Sequence, residues 1–203
     1  MKRFILFFCI LLFAQVAWAT AYESVYPPEH SDTYVKATTK ASTSWWPYYA
    51  TDPTKSLTGS EVDNSWQSAA ASNQRFHIDL GSAKTVVRIY YENYHESGAY
   101  TNAGSRGFTL MGSNSADSFA DLDINHDTGW TSITTSSNEL DQHTASNVAD
   151  PKYITAENST AYRYYCLKIT NNWGYAGSMG LRRVELQVES VSAPAIKPMV
   201  IIF

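Results

Sequence analysis

The chain has 203 residues, 44% of them apolar and 14% aromatic, and its 15 basic side chains face 19 acidic ones for a formal charge of −4. That length suits one well-filled domain with short extensions and is short for two. An acidic chain without a basic cluster is a poor partner for nucleic acid and is repelled by anionic membrane surfaces, so both are excluded as partners.

In chain order, residues 1–19 are a separate object. Lys2 and Arg3 precede an apolar run from Phe4 to Phe13, and Ala17-Trp18-Ala19 is a small-x-small cleavage site. This is the pattern of a secretory signal peptide, too short for a comfortable membrane span. It predicts a secreted, extracellular protein cleaved after Ala19, with no membrane insertion. Cleavage takes Lys2 and Arg3 from the 15 basic residues and nothing from the 19 acidic ones, leaving a net charge of −6. Cys9 departs with the leader. The remaining Cys166 has no intramolecular disulfide partner, and its apolar strand context reads as a small buried hydrophobe.

Residues 20–34 are polar, carry a Pro27-Pro28 step, and read as an extended N-terminal arm. A first strand is expected within 34–40, followed by the aromatic loop STSWWPYY at 42–49 and loop chemistry at 50–64. Phe76, Ile78 and Leu80 then alternate with Arg75, His77 and Asp79, the period of a strand with one buried face. Gly81 is placed to turn the chain with positive φ, and Val86, Val87 and Ile89 begin the next strand. Trp66, ahead of both, is a large anchor for a core.

Further along, a short strand is expected at 108–112 and one helical turn within 116–123, with Trp130 and Ile133 anchoring a polar stretch. Arg163, Tyr165, Leu167 and Ile169 alternate with Tyr164, Cys166 and Lys168. After a glycine-rich loop at 171–180, Val184, Leu186 and Val188 mark a last core strand. Residues 191–203 are a tail that ends MVIIF. Recurrent strands with turn residues between them, and no helical period sustained over three turns, predict an all-β protein, an antiparallel β-sandwich.

Trp66-Gln67-Ser68, a gap, Ile78-Asp79-Leu80-Gly81 and an apolar strand together resemble the discoidin domain, also called the coagulation-factor type C domain. They are similar too to the bacterial galactose-binding-like carbohydrate-binding modules. Ala50-Thr51-Asp52 upstream agrees with this, as do Tyr162-Arg163-Tyr164-Tyr165-Cys166-Leu167 and Leu181-Arg182-Arg183-Val184-Glu185-Leu186 downstream, so the resemblance covers roughly residues 35–190. It implies a galactose-binding-domain-like jelly-roll that holds an extracellular glycan or cell-surface polysaccharide without catalysis. The lone Cys166 places it nearer the bacterial members, since most animal ones tie their ends with a disulfide.

The resemblance also implies a structural calcium in the loop before Trp66, on positions Ala50, Asp52, Thr58 and Asn64, with Glu185 from the last strand. The chain departs from the pattern where Arg183 stands in place of a glutamate. Three readings stay open: calcium, a guanidinium pairing with Asp52 in its stead, and a loop held by ordinary Asx-turn hydrogen bonds.

Sugars are bound by aromatic faces that cover their C–H patches and by fixed polar groups that reach their hydroxyls. Three loops supply such rings, and the candidate ligand residues are Trp45, Trp46, Tyr94, His95, Arg106, Asn172, Trp173 and Tyr175. Trp66 and Trp130 are assigned to the core. No nucleophile elbow, zinc-binding or phosphate-loop motif is present. Asp121, Asp123 and Asp127 are either paired carboxylates of a small hydrolase or a solvated loop. The rival to a glycan-binding module is a self-assembling adhesive or filament subunit, associating through its arm and its apolar tail by strand addition.

Overall fold

The alternating segments build ten strands in a computed structural model that describes residues 20–190; the expected signal peptide and the tail lie outside the described residues. The strands are β1 (Ala21–Val25), β2 (Val35–Ala37), β3 (Trp66–Gln67), β4 (Gln74–Lys84), β5 (Arg88–Asn93), β6 (Phe108–Ser113), β7 (Thr131–Thr135), β8 (Lys152–Glu157), β9 (Tyr162–Ile169) and β10 (Gly180–Ser190). They run in the order β1-β10-β5-β8-β7-β6-β9-β4-β2, with β3 on β10, and every strand pair is antiparallel. Between β7 and β8 just two residue pairs, Thr134↔Glu157 and Thr135↔Ala156, join the ladder. There the sheet curls over into two layers, β1-β10-β5-β8 against β7-β6-β9-β4-β2, which is the expected sandwich.

Between the layers Phe76, Ile78 and Leu80 of β4 and Leu167 and Ile169 of β9 share one buried cluster with Ile89 of β5 and Val184 and Leu186 of β10. Trp66 closes it. The indole is fully buried, sits 5.1 Å from the Phe76 ring, and donates through Nε1 to Thr39 O at 3.0 Å. That bond satisfies the one polar atom of a side chain whose burial removes roughly 150–250 Å² from water.

Two expectations differ from the fold. The segment read as an arm contributes an edge strand, paired with β10 from Ala21↔Ser190 to Val25↔Leu186. The Pro27-Pro28 step falls just past this strand, where prolines need no ladder partner. Pro28 then packs over Gly81, whose φ is +72° as anticipated, although β4 runs on through it to Lys84 with a register shift where a turn was expected; a Cβ there would lie 2.5 Å from Pro28 Cγ.

The second difference is that β4 is buried on both faces between Gln74 and Leu80. The helix α1 (Ala116–Ala120), capped by Ser115, and the loop after it cover the outer face, where Met111, Phe119, Trp130, Tyr164 and Cys166 form a second apolar cluster. Arg75, with no exposure, donates to Asp123 O at 2.7 Å, to His126 O at 2.6 Å and to the Asp127 carboxylate. Burial pushes the Cys166 thiol up to about 12, so it is an inert packing group.

Candidate functional site

Two neighbouring regions carry the polar groups of interest, and β10 feeds the first. A β-bulge between Leu181 and Arg183 breaks the alternation and lets two successive arginines reach the same loop. Arg182 is fully buried. Its Nε donates to His95 O at 3.1 Å, its Nη1 to Ser60 O at 3.0 Å and Ser56 O at 3.3 Å, and its Nη2 to Gly59 O. Arg183 donates to Lys55 O at 2.7 Å and to Glu185 Oε1 at 3.2 Å, while the other Glu185 oxygen accepts from Ser24 Oγ at 2.6 Å.

Of the residues named for calcium, Asp52, Thr58, Asn64 and Glu185 have partners within the chain. Asp52 Oδ1 accepts from Thr54 N at 2.9 Å and Thr54 Oγ1 at 2.7 Å, an Asx turn. Asn64 accepts from Ser56 N at 3.0 Å and donates to Val62 O at 2.9 Å; Thr58 O accepts from Ser56 Oγ at 2.8 Å; Ala50 is fully buried. Calcium wants about six to eight oxygens around one point. Here the inward carbonyls already bind guanidinium, and a dication beside them meets like charge. Among the described residues no group of three or more His, Cys, Asp or Glu side chains is placed to hold a metal. The donor set fits guanidinium and does not fit calcium. The anticipated partner, Asp52, is not the one used: Arg183 pairs with Glu185, and the loop is filled by Arg182.

The second region is a cleft of about 210 Å³ lined by Gln67, Tyr94, Glu96, Tyr100, Ala103 and Tyr175. Two asparagines set its walls. Asn93, at the end of β5, donates to Ser105 O at 2.7 Å and Asp141 O at 2.8 Å and accepts from Tyr94 N at 2.9 Å. Asn172 donates to Tyr175 O and Ser178 O, both at 2.7 Å, and accepts from Gly174 N at 2.9 Å. The two loops are joined by backbone bonds from Trp173 N to Gly104 O and from Tyr175 N to Asn102 O, each 3.2 Å.

Tyr94 lies at the base of the cleft, 2% exposed, packed so closely on Gly180 that a Cβ there would come within 2.6 Å of the ring. Its oxygen accepts from Gln67 Nε2 at 3.1 Å, which leaves the O–H free to donate. Burial and then the charges of Glu61 and Glu96 push this phenol up, so it stays protonated. Tyr100 and Tyr175 meet edge to face with centroids 6.0 Å apart. Tyr100 is 53% exposed and holds φ at +51°, a left-handed conformation that costs a residue with a Cβ about 1–2 kcal/mol. The exposed Glu96 carboxylate forms no ion pair among the described residues.

Of the candidate ligand residues, Tyr94 and Tyr175 line this cleft, and Asn172 shapes it from behind. Trp173 and Arg106 sit beside it but occupy each other: the guanidinium lies 4.5 Å from the indole centroid and 3.1 Å from Glu139, and Trp173 Nε1 donates to Leu140 O at 3.1 Å. His95 is fully buried, its ring 3.9 Å from that of His143; Nε2 faces Leu57 O at 2.9 Å, and Nδ1 accepts from Gly98 N at 2.9 Å. Burial holds its imidazole down at about 4, hence neutral, and no edge is left for a ligand.

Trp46 lines a different cleft of about 200 Å³, with Lys40 Nζ 3.5 Å from its centroid and Tyr48 stacked at 5.5 Å. Trp45 is half-buried and does not line either cleft. Gln67 has no signal in sequence beyond its place next to Trp66. The acidic cluster is tied up: Asp127 spans Arg75 and Lys168, Asp121 meets His126 Nδ1 at 2.9 Å, and Asp123 accepts from Asn125 N at 2.9 Å.

No protein-family model matches the chain, and no curated protein matches it. Solved structures do. A truncated AlyQ with CBM32 and alginate lyase domains is similar at TM-score 0.55 and 18% identity, over 87% of this chain and 36% of that one. The family 32 carbohydrate-binding module of C. perfringens NanJ, solved in complex with galactose, is similar at TM-score 0.51 and 14% identity, over 83% of this chain and 100% of that one. The chain therefore spans about a third of the AlyQ chain and matches the NanJ module over its whole length. Its described residues have the galactose-binding-like β-sandwich fold of the family 32, discoidin-type carbohydrate-binding modules.

Proposed function

We propose that this chain is a secreted, non-catalytic module that binds glycan in the tyrosine cleft. The observation that carries the reading is Tyr100, an exposed ring held at positive φ beside Tyr175, over a buried phenol with a free proton. Backbone strain that supports an exposed aromatic does nothing for packing, and such strain concentrates where a protein meets a ligand. Rings cover sugar C–H faces; Tyr94 O–H, Gln67 and Glu96 are placed to bond hydroxyls. The galactose complex of the NanJ module supports carbohydrate as the ligand class, and the leader sequence supports secretion. Among the described residues no helix is long and apolar enough to cross a membrane. In this reading Arg182 does for the 55–60 loop what calcium is expected to do in the resembling modules, so ligand binding needs no ion.

A glycan array on the mature chain, with and without chelator, tests the reading. We expect binding that survives the chelator and that Tyr175→Ala weakens by tenfold or more, about 1.4 kcal/mol. A folded chain that binds no glycan, or one whose binding ignores changes at both Tyr100 and Tyr175, overturns it.

A further inference from the structure

We infer that the tyrosine cleft selects saccharides carrying a free amine, held as the ammonium by Glu96; this rests on the glycan reading and names its ligand class. The cleft is lined by Gln67, three tyrosines, Ala103 and Glu96, so its one ionisable group charged at neutral pH is a carboxylate. That carboxylate is exposed and pairs with no cation among the described residues. Glu61, 7% exposed, also acts on the Tyr94 phenol at the base of the cleft, where the charge of Arg182 opposes it.

Among the described residues no lysine, arginine or histidine lines the cleft to balance Glu96. Of the arginines nearby, Arg106 is committed to Glu139 and the Trp173 ring, and the charge of Arg182, whose hydrogen bonds go to neutral carbonyls, is set against that of Glu61. An unpaired carboxylate over tyrosine faces is the arrangement that attracts a cation: charge-assisted hydrogen bonds to the carboxylate, and the negative faces of Tyr100 and Tyr175 toward the charge. A uronate or a sulfated sugar finds repulsion in the same place. The whole-chain formal charge of −4 acts in the same direction at longer range, steering a polycationic glycan toward the protein. N-acetylation abolishes the charge and leaves one N–H donor where the ammonium has three, so it removes what Glu96 recognises.

Calorimetric titration of the mature chain separates the cases. The probes are a β-1,4-linked glucosamine oligomer, its fully N-acetylated counterpart and an oligouronate of the same length. The amine form should bind at least tenfold more tightly than the acetylated one, weaken with added salt and with pH raised above the amine's own pKa, and leave the uronate unbound. Glu96→Gln should lower the affinity for the amine at least tenfold and lower that for the acetylated form by much less, so that the preference for the amine collapses; because Glu96 is exposed, its thermal unfolding should match the parent. Equal binding of amine and acetylated forms, insensitive to Glu96→Gln, overturns the amine inference while leaving the glycan reading intact. Preference for the uronate also overturns it. Failure of all three probes to bind, and of every sugar on the array, removes the glycan reading itself.

Discussion

Residues 94–96 form the border between two polar regions that the protein treats in opposite ways. On one side the carbonyl of His95 points at Arg182, whose fully buried side chain also gathers Ser56, Gly59 and Ser60 of a surface loop. On the other, Tyr94 and Glu96 face a cleft where a carboxylate has no ion pair among the described residues and a ring stands out at a strained backbone position. Apart from the buried Arg183 Nε, the first region has its donors and acceptors matched within the chain. The second leaves them for something else. Satisfied polar groups hold a fold together, and groups held ready but unmatched are where function is placed.

The largest effect that would break this contrast lies in the satisfied region. Replacing Arg182 by Met leaves the Ser56, Gly59, Ser60 and His95 carbonyls without their buried donor, and about 3 kcal/mol or more of stability should be lost in denaturant unfolding. A loss under 1 kcal/mol would mean that water replaces the guanidinium freely.

Acid should act next most strongly. Burial, with the charge of Arg75 adding to it, holds His77 down at about 4, and burial likewise holds His95 at about 4, against an ordinary value of 6.5. Between these limits the unfolded chain binds protons that the folded chain refuses. Stability is therefore intact above pH 6.5, falls between 6.5 and 4 by about 1.4 kcal/mol per pH unit for each imidazole, and levels off below for these two groups. A urea midpoint that stays flat across that window contradicts the assignment.

How much of this was readable in the sequence depends on range. The alternations at Phe76–Leu80 and Arg163–Ile169, with Trp66 before them, were enough for the sandwich, because each inward face is set by period alone. The outer face of β4 was not readable: Arg75 and His77 look solvent-directed until residues 116–130 fold across them. Nor was the role of Arg182. Adjacent residues on a strand point to opposite faces, and the bulge that lets both arginines reach one loop leaves no mark in the sequence. The aromatic loops could be recognised as loops. Which of them converge is decided by strand order, and that order brings Tyr94, Tyr100 and Tyr175 together while Trp46 lines a separate cleft.

Smaller effects sharpen the contrast from the open side. Tyr100→Gly removes a Cβ from a residue at φ +51°, so stability should hold or rise by up to about 1 kcal/mol while glycan affinity falls. A ring that matters for packing would give the reverse. The smallest expected change is none at all: since Arg182 and Arg183 bind the loop carbonyls, chelator should leave the thermal midpoint where it was and added calcium should not raise it.

The most direct test puts both clefts on one glycan panel with chelator present throughout. The double variant Tyr100→Ala, Tyr175→Ala should lose binding while keeping the parent's unfolding midpoint, and Trp46→Ala should bind as the parent does. Retained binding in the double variant, or loss of binding in Trp46→Ala with its fold intact, contradicts the assignment of the site to the tyrosine cleft.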